Sequence, residues 1–457
     1  MTVSPARVEA HSTLMEVGKS ANVYADDLLR GARVSRLSAQ DRNLCTTLVL
    51  GTLRWQIRLD AAIRTKLVKP NAKLDAAVQI ALRLGLFQLW YLDRIPAHAA
   101  IGESVSLARL AGHQHGSRMV NAVLRALSRE AKPEAPELPR TAVPLAEATA
   151  HPTWMVERWI ANFGVDVAQA ICLNGQAQPE LDLRLETPEL EAELAGQGIE
   201  LAPGAILSAA RRVVSGDVTA TEASKSGRVR IQEEGSQLIA ELGGDDSFTS
   251  KTILDCCAAP GGKTLILAER NSQAKVTALE ISPGRCAALR ERVATSRFAA
   301  QIEVAQADAT QMTIEGERYD LVLADVPCSG TGTMGRNPEI RHRLRLEDLA
   351  RHHDRQVAIL RSALAVGSRR VIYSTCSLEP EENQAVVAEV LEQTPDWRQV
   401  SVASVLGELR DEGRLTLDGG PLVEAVAEDG ALTILPGSLG ADIQTDGFFV
   451  AILERLA

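Results

Sequence analysis

Residues 253–264 read ILDCCAAPGGKT. Lys251–Asp255 has the pattern of a buried strand ending in an acid. Pro260, Gly261 and Gly262 then turn the chain, and Lys263 opens the apolar helical run TLILAE. A strand, a glycine-rich turn and a helix start, in that order, build the ligand-facing loop of an α/β nucleotide fold. Glycine permits φ > 0 and close backbone approach, and a helix start offers free N–H groups to anionic or polar ligand atoms. Two sharper patterns fail. A phosphate loop would need glycine where Cys257 stands, and no G-x-G-x-x-G occurs here. On this stretch alone, an ordinary tight turn without a ligand remains the alternative.

Outward from the loop, strands and helices alternate. Strands are predicted at Thr252–Asp255, Lys275–Glu280, Ile302–Ala305, Leu321–Asp325, Arg370–Ser374, Leu432–Leu435 and Gly447–Leu453. Helices are predicted near 263–270, 283–296, 347–366 and 380–393. Such alternation implies a mainly parallel, doubly wound sheet, whose ligands sit at the carboxyl ends of the strands. Three acids fall there: Glu280, Asp308 and Asp325. One terminal acid is more often a helix cap, but three beside a glycine-rich turn favour a cofactor that carries a nucleoside.

Two further strand ends carry thiols. DVPCSGTG places Cys328 after one strand, and YSTCS places Cys376 after another, 48 residues on. A lone cysteine is usually a small buried hydrophobe. Two of them at the ligand edge of one sheet suggest covalent catalysis. C5 of a pyrimidine is a poor nucleophile, but a thiolate adding to C6 makes C5 enamine-like and able to attack an electrophilic methyl group. A base must then take the C5 proton. Asp325 is placed to hydrogen-bond the N3/N4 edge of a cytosine. The attacking thiol needs a lowered pKa, and Leu378-Glu379-Pro380 read as the start of a helix that supplies it.

Residues 5–129 show helical periodicity in Ala6–Val17, Asn43–Trp55, Leu59–Leu67, Leu74–Tyr91 and Met119–Leu127. Residues 1–130 hold 18 Lys and Arg against 10 Asp and Glu, in a chain whose net charge is −10. A basic helical domain on an acidic protein points to a polyanion partner, or to a solvated basic surface. Arginines 30, 33, 36, 42, 54, 58, 64 and 94 are candidates for one contact face. Prolines 133, 136, 139 and 144 give residues 131–147 a semi-extended linker composition. HPTWMVERWIANFG reads as one amphipathic helix ended by Gly164, LDLRLE as a strand, and 195–232 as short β pieces, making a small α/β unit. Seven cysteines, an odd number without C-x-x-C spacing, and no apolar run of transmembrane length imply a reduced cytoplasmic protein without a structural zinc.

Taken together, LSAQDRNLCTTLVLGTLRW, LRLGLFQLWYLDRIPAHAAIGESVSLAR and VNAVLRAL resemble the NusB-type helical domain. LDCCAAPGGKT, ADVPCSGTGTMGRNPEIR, YSTCSLEPEEN and DGFFVAIL resemble the Sun-type RNA cytosine-5 methyltransferases; with the helical domain, the whole chain is similar to the bacterial 16S rRNA branch of that family. The resemblance implies S-adenosylmethionine as methyl donor, held by Cys257, Ala258, Ala259, Pro260, Gly261, Gly262, Lys263, Glu280, Asp308 and Asp325. It implies Cys376 as the nucleophile and Cys328 as the cysteine that helps release the product. It also implies that Arg336–Arg341 lies beside the target base. The expected division is a NusB-like RNA-binding domain over 1–130, a linker over 131–147, an α/β RNA-binding extension over 148–245 and a Rossmann-like (class I) methyltransferase domain over 246–457. The expected partner is 16S rRNA, free or in a partly assembled small subunit, offering a single-stranded or flipped-out cytosine. The chain is expected to work as a monomer, away from membranes. An RNA-binding factor without catalysis and a methyltransferase of tRNA or protein remain as alternatives.

Overall fold

The computed structural model describes residues 3–20, 23–132, 137–244, 250–313, 318–440 and 443–456. The chain forms two compact units. One runs to Gln178 and includes Thr333–Leu344; the other holds Pro179–Gly332 and Arg345 onward.

The first unit is helical. Its principal helices are Pro5–Val17, Ala39–Thr65, Ala76–Tyr91, Ala97–Leu110 and Gln114–Leu127. Their apolar stripes share a core that includes Leu48, Leu59, Leu82, Leu86, Leu124 and Leu127. The two helices expected between Asn43 and Leu67 are one, capped by Ser38, whose hydroxyl accepts the Asp41 N–H. No glycine or proline interrupts Gln56-Ile57-Arg58, so the helix continues. Ala97–Leu110 was not foreseen: the helix before it ends at Tyr91, ahead of the stop expected at Ile95-Pro96, and Pro96 is the N-cap of the next.

The arginines do not form one surface stripe. Arg54 is buried and donates from Nε and Nη2 to the Gly335 carbonyl at 3.2 and 2.8 Å. Arg58 donates to Ala148 O, and Arg33 pairs with Glu9 and Glu16. In the stretch expected to be extended, Ala142–Thr149 is a helix. Pro144 lies in its first turn, where backbone N–H groups have no helical acceptor, so the missing donor costs nothing. Prolines 133 and 136 lie outside the described residues.

The second unit carries two sheets among its described residues. The small one contains β1 (Asp182–Leu185), β2 (Glu200–Pro203), β3 (Ala210–Ser215) and β4 (Val229–Ile231), in the order β2-β3-β1-β4 and antiparallel. The large one contains β5 (Thr252–Asp255), β6 (Lys275–Leu279), β7 (Ile302–Ala305), β8 (Tyr319–Asp325), β9 (Gly367–Thr375), β10 (Trp397–Val400), β11 (Leu432–Ile434) and β12 (Phe448–Arg455). Its order is β10-β12-β9-β8-β5-β6-β7, with β11 on β12. Strands β7 to β9 run parallel through β6 and β5, and β12 is antiparallel to β9. The near-continuous apolar runs of β5, β8 and β9 follow from burial on both faces. The order reverses at β5 and β8, so the crevice above their carboxyl ends is where a ligand binds in such a sheet. β10 and the helix Val402–Asp411 were not foreseen; WRQV is too short and polar to stand out.

Arg184 of β1 is 1% exposed and ties the small sheet to the helices beneath. Its Nη1 meets Glu241 at 2.6 Å and its Nη2 meets Glu269 at 2.7 Å, while Arg230 shares Glu269 at 2.9 Å. Deleting one partner of a buried ion pair strands the other and costs about 3–5 kcal/mol. Arg184→Ala is therefore expected to lower the urea unfolding midpoint markedly, whereas Arg228→Ala, in an exposed pair with Glu193, leaves it nearly unchanged. Equal midpoints would show that the buried network contributes no net stability.

Candidate active site

The glycine-rich turn sits at the β5 edge of the crevice. Gly261 adopts φ +102°, a conformation that favours glycine. A Cβ on Gly262 would stand 2.5 Å from Oε1 of Gln232. Cys257, Ala258, Ala259, Pro260, Gly262, Lys263 and Asp325 line one cleft with Arg230, Gln232, Ser236, Asp255 and Arg292. Gln232 and Arg230 come from the segment that follows the small sheet and from β4; the sequence offered no reason to place them here.

Glu280 follows β6 and is buried, its Oε1 accepting the Ser282 N–H at 2.8 Å. Asp308 follows β7 and accepts both the N–H and the hydroxyl of Thr310, which hold its carboxyl below the ordinary range. Both stand at neighbouring strand ends, outside the lining of that cleft. Burial pushes Asp255 up to about 7, against the opposing hydrogen bond from Thr264. Burial, then the charges of Asp255 and Asp325, push the Cys257 thiol up, and burial does the same to Cys256. Both stay protonated, as bystanders should.

Asp325 ends β8 with two partners. Its Oδ2 meets Lys263 Nζ at 2.9 Å and its Oδ1 accepts from Ser374 Oγ at 2.8 Å. Burial opposes the charge of Lys263, but Asp325 outweighs it and holds the ammonium above its ordinary range; Cys376 is close enough to add to that field. Lys263, expected only as a cofactor contact, is thus also the counter-charge of Asp325.

The parallel register of β8 and β9 sets Asp325 opposite Ser374. The loops beyond them then run side by side, with Val326 N–H donating to Ser374 O and Gly332 N–H to Cys376 O. The result is a Cys328 Sγ–Cys376 Sγ separation of 3.2 Å. The hydrogen bond to Cys376 is the first cause that raises the Cys328 thiol well above its ordinary value; burial and the charges of Cys376 and Glu382 add to it.

Beneath the thiols lies a carboxylate that sequence reasoning missed. Glu382 is fully buried. Its Oε1 accepts from Ser329 N at 2.8 Å and Gln356 Nε2 at 2.9 Å; its Oε2 accepts from Ser377 Oγ at 2.5 Å and from Ser329 Oγ. Its main chain is also engaged, since its carbonyl accepts from the Tyr373 hydroxyl at 2.6 Å. Glu381-Glu382 reads as a solvated acidic pair; nothing local marks the second acid as interior. The helix expected just after Cys376 is a single 3₁₀ turn at Pro380–Glu382, and a regular helix begins only at Gln384. Asn383, with ψ −104° and its side chain bonded to Thr375 and Ser377, interrupts the two. No regular helix therefore starts just after Cys376; the charged group whose field reaches it is Lys263.

Of Arg336–Arg341, Arg341 is buried in the first unit and donates to the carbonyls of Arg54, Ala150, Gly175 and Met334. Burial, then the charge of Arg54, lowers it to about 9. This arginine is committed to the protein interior.

Residues 246–454 match the family of the 16S rRNA methyltransferase RsmB/F, residues 4–129 the NusB family, and residues 151–215 the ferredoxin-like domain of RsmF/B-like methyltransferases. The chain is 33% identical over 444 residues to a probable ribosomal RNA small subunit methyltransferase B of Bacillus subtilis, covering 94% of this chain and 95% of that protein. It is 33% identical over 406 residues to the ribosomal RNA small subunit methyltransferase B of Pseudomonas putida, covering 85% and 90%. Among solved structures, PH0851 superposes with a TM-score of 0.79 at 21% identity over 100% of both chains. NSun6 from Pyrococcus horikoshii with SFG superposes with a TM-score of 0.55 at 17% identity, over 67% of this chain and 98% of that one. Among the described residues, no helix is long and apolar enough to cross a membrane.

Proposed function

This chain belongs to the 16S rRNA methyltransferase RsmB/F family, and from that premise we propose that it methylates C5 of a cytosine in 16S rRNA through a covalent bond between Cys376 and C6. The observation that carries the reading is the pair of thiols 3.2 Å apart at the ends of β8 and β9, beside the Lys263–Asp325 ion pair.

The cleft fits S-adenosylmethionine. A Cβ on Gly261 would collide with Leu289 and one on Gly262 with Gln232, so only glycine keeps this turn packed against the cleft wall, and the acids at three strand ends suit a nucleoside. Cys257–Lys263, Glu280, Asp308 and Asp325 would hold it, and when bound it supplies an electrophilic methyl group.

Asp325 accepts the N4–H of the cytosine and orients the ring. Cys376 attacks C6 as a thiolate, and with the donor bound the electron pair displaced to C5 would form the new C5–methyl bond as the donor's sulfur keeps the electrons of the bond it loses. Alkylation removes the hydrogen bond and the charge of Cys376, the first and third of the causes that raise Cys328, while burial remains. Cys328 can then lose its proton to solvent and take the proton from C5. The C5–H electrons restore the C5–C6 double bond, and Cys376 leaves as a thiolate. One group attacks and the other is released for work by that attack.

The helical domain over 1–130 and the extension over 148–245 are assigned to RNA binding, the methyltransferase domain over 246–457 to chemistry, with 131–147 as linker. The substrate cytosine is unpaired or flipped out, because C6 is shielded within a stacked duplex. Mapping 5-methylcytosine in rRNA from cells with and without the protein tests the assignment. One small-subunit cytosine is expected to lose its mark in the deleted strain. Unchanged small-subunit rRNA, with a mark lost from tRNA or protein, would overturn it.

A further inference from the structure

We propose that Glu382 is a positioning residue that fixes the spacing of the two active-site thiols, by binding the residue that follows each of them. The inference rests on the reading of Cys376 and Cys328 as the reacting pair.

Cys328 is followed by Ser329 and Cys376 by Ser377. Both serine hydroxyls converge on Oε2 of Glu382 and also contact each other at 3.0 Å. Oε1 takes the Ser329 backbone N–H and, from the helix Asp348–Val366, the Gln356 amide. Four donors thus aim at one carboxylate. Glu382 is 0% exposed. The one basic side chain among the described residues that approaches it is His352, whose Nδ1 is 4.0 Å away.

A buried carboxylate without a cation in contact is costly, and it persists where hydrogen bonds to it are worth more than its desolvation. Here the donors come from both thiol loops and from a helix under the sheet, so the anion acts as a knot. The surrounding bonds lead to the same loops. Thr331 Oγ1 accepts the Leu378 N–H at 2.9 Å, and Asn383 donates to Ser377 O at 2.9 Å. A protonated or amide group at this position would aim a donor at a serine that already donates. The two loops would then separate.

Glu382→Gln keeps the shape and removes the acceptor. It is expected to lower kcat about 100-fold, the scale of a misplacement near 1 Å, while KM for RNA and affinity for S-adenosylmethionine change little. A second readout does not depend on methyl transfer. Diamide oxidises two adjacent thiols to a disulfide and is itself reduced to the hydrazine, with the two thiol protons moving to it. Peptide mapping then reports the rate of Cys328–Cys376 bond formation. The wild type is expected to cross-link about tenfold faster than Glu382→Gln, as the separated thiols meet less often. Equal cross-linking rates, or a fall in KM behaviour and folding alone, would overturn the proposal. If Glu382→Gln does not fold, Ser377→Ala deletes one donor and carries the same two readouts. A variant that slows cross-linking in a protein that does not methylate cytosine would leave the knot standing and sink the proposed reaction.

Discussion

Replacing Cys376 by alanine is expected to abolish turnover while leaving the cofactor cleft intact. The thiol supplies the bond that makes C5 reactive, and loss of an enzyme nucleophile costs on the order of 10⁶-fold in kcat. The cleft is lined by the β5 turn, Asp325 at the end of β8, Arg292 and the Arg230–Gln232 segment, none of which requires the thiol. S-adenosylmethionine affinity, measured by calorimetry, should therefore match that of the wild type. The 3.2 Å contact adds a constraint: the thiol seated against Cys376 is Cys328. Tritiated methyl transfer to 16S rRNA that persists in Cys376→Ala at more than a trace would mean that Cys328 can attack, and the assignment would fall.

Much of this site was readable from the chain. The loop 253–264 announced itself because three requirements coincide there: a buried strand, a turn that only glycine tolerates easily, and a helix start. The acids and thiols were readable because parallel strands deliver their functional residues to one edge, so that residues just after apolar runs are candidates whatever their spacing in sequence. Distances were not readable. The thiols meet because β8 and β9 are neighbours in a fixed register, and order within a sheet is a property of packing between helices distant in sequence. Glu382 was hidden for a related reason. Its partners are Ser329 and Gln356, 53 and 26 residues away, and no local pattern separates a knotted acid from a solvated one.

The errors also have physical causes. Pro144 suggested an extended linker, yet proline in the first turn of a helix removes only a donor with no acceptor. Asn383 broke the helix expected after Cys376, because its amide serves Thr375 and Ser377 instead of the solvent. Arginines counted toward a nucleic-acid surface include Arg54, whose guanidinium is spent on a backbone carbonyl in the interior. Net charge locates a polyanion partner on a domain; it does not say which cations are free to meet it.

Cys328→Ala is expected to stop the reaction one step later and leave its trace on the RNA. Attack by Cys376 and methylation of C5 do not need Cys328, so both proceed. Removal of the C5 proton does need a base, and the residue placed 3.2 Å from the attacking sulfur is now a methyl group. The adduct keeps both its proton and its new methyl, and the C6–S bond has no route to break. Loss of a general base costs about 10²–10⁴-fold, enough for the adduct to accumulate as a shifted band that resists denaturant. The band must require the methyl donor. Without it, C5 is not alkylated, and the electron pair at C5 re-forms the C5–C6 double bond as the thiolate departs, so the addition simply reverses. The two thiols can therefore be told apart by where each variant stalls. A donor-dependent band in Cys328→Ala that vanishes in the double variant fixes Cys376 as the attacking group. A band in Cys376→Ala instead would exchange the roles. The hydrogen bond to Cys376 and burial, which raise the Cys328 thiol, argue against that exchange, since a thiol so raised is the poorer nucleophile.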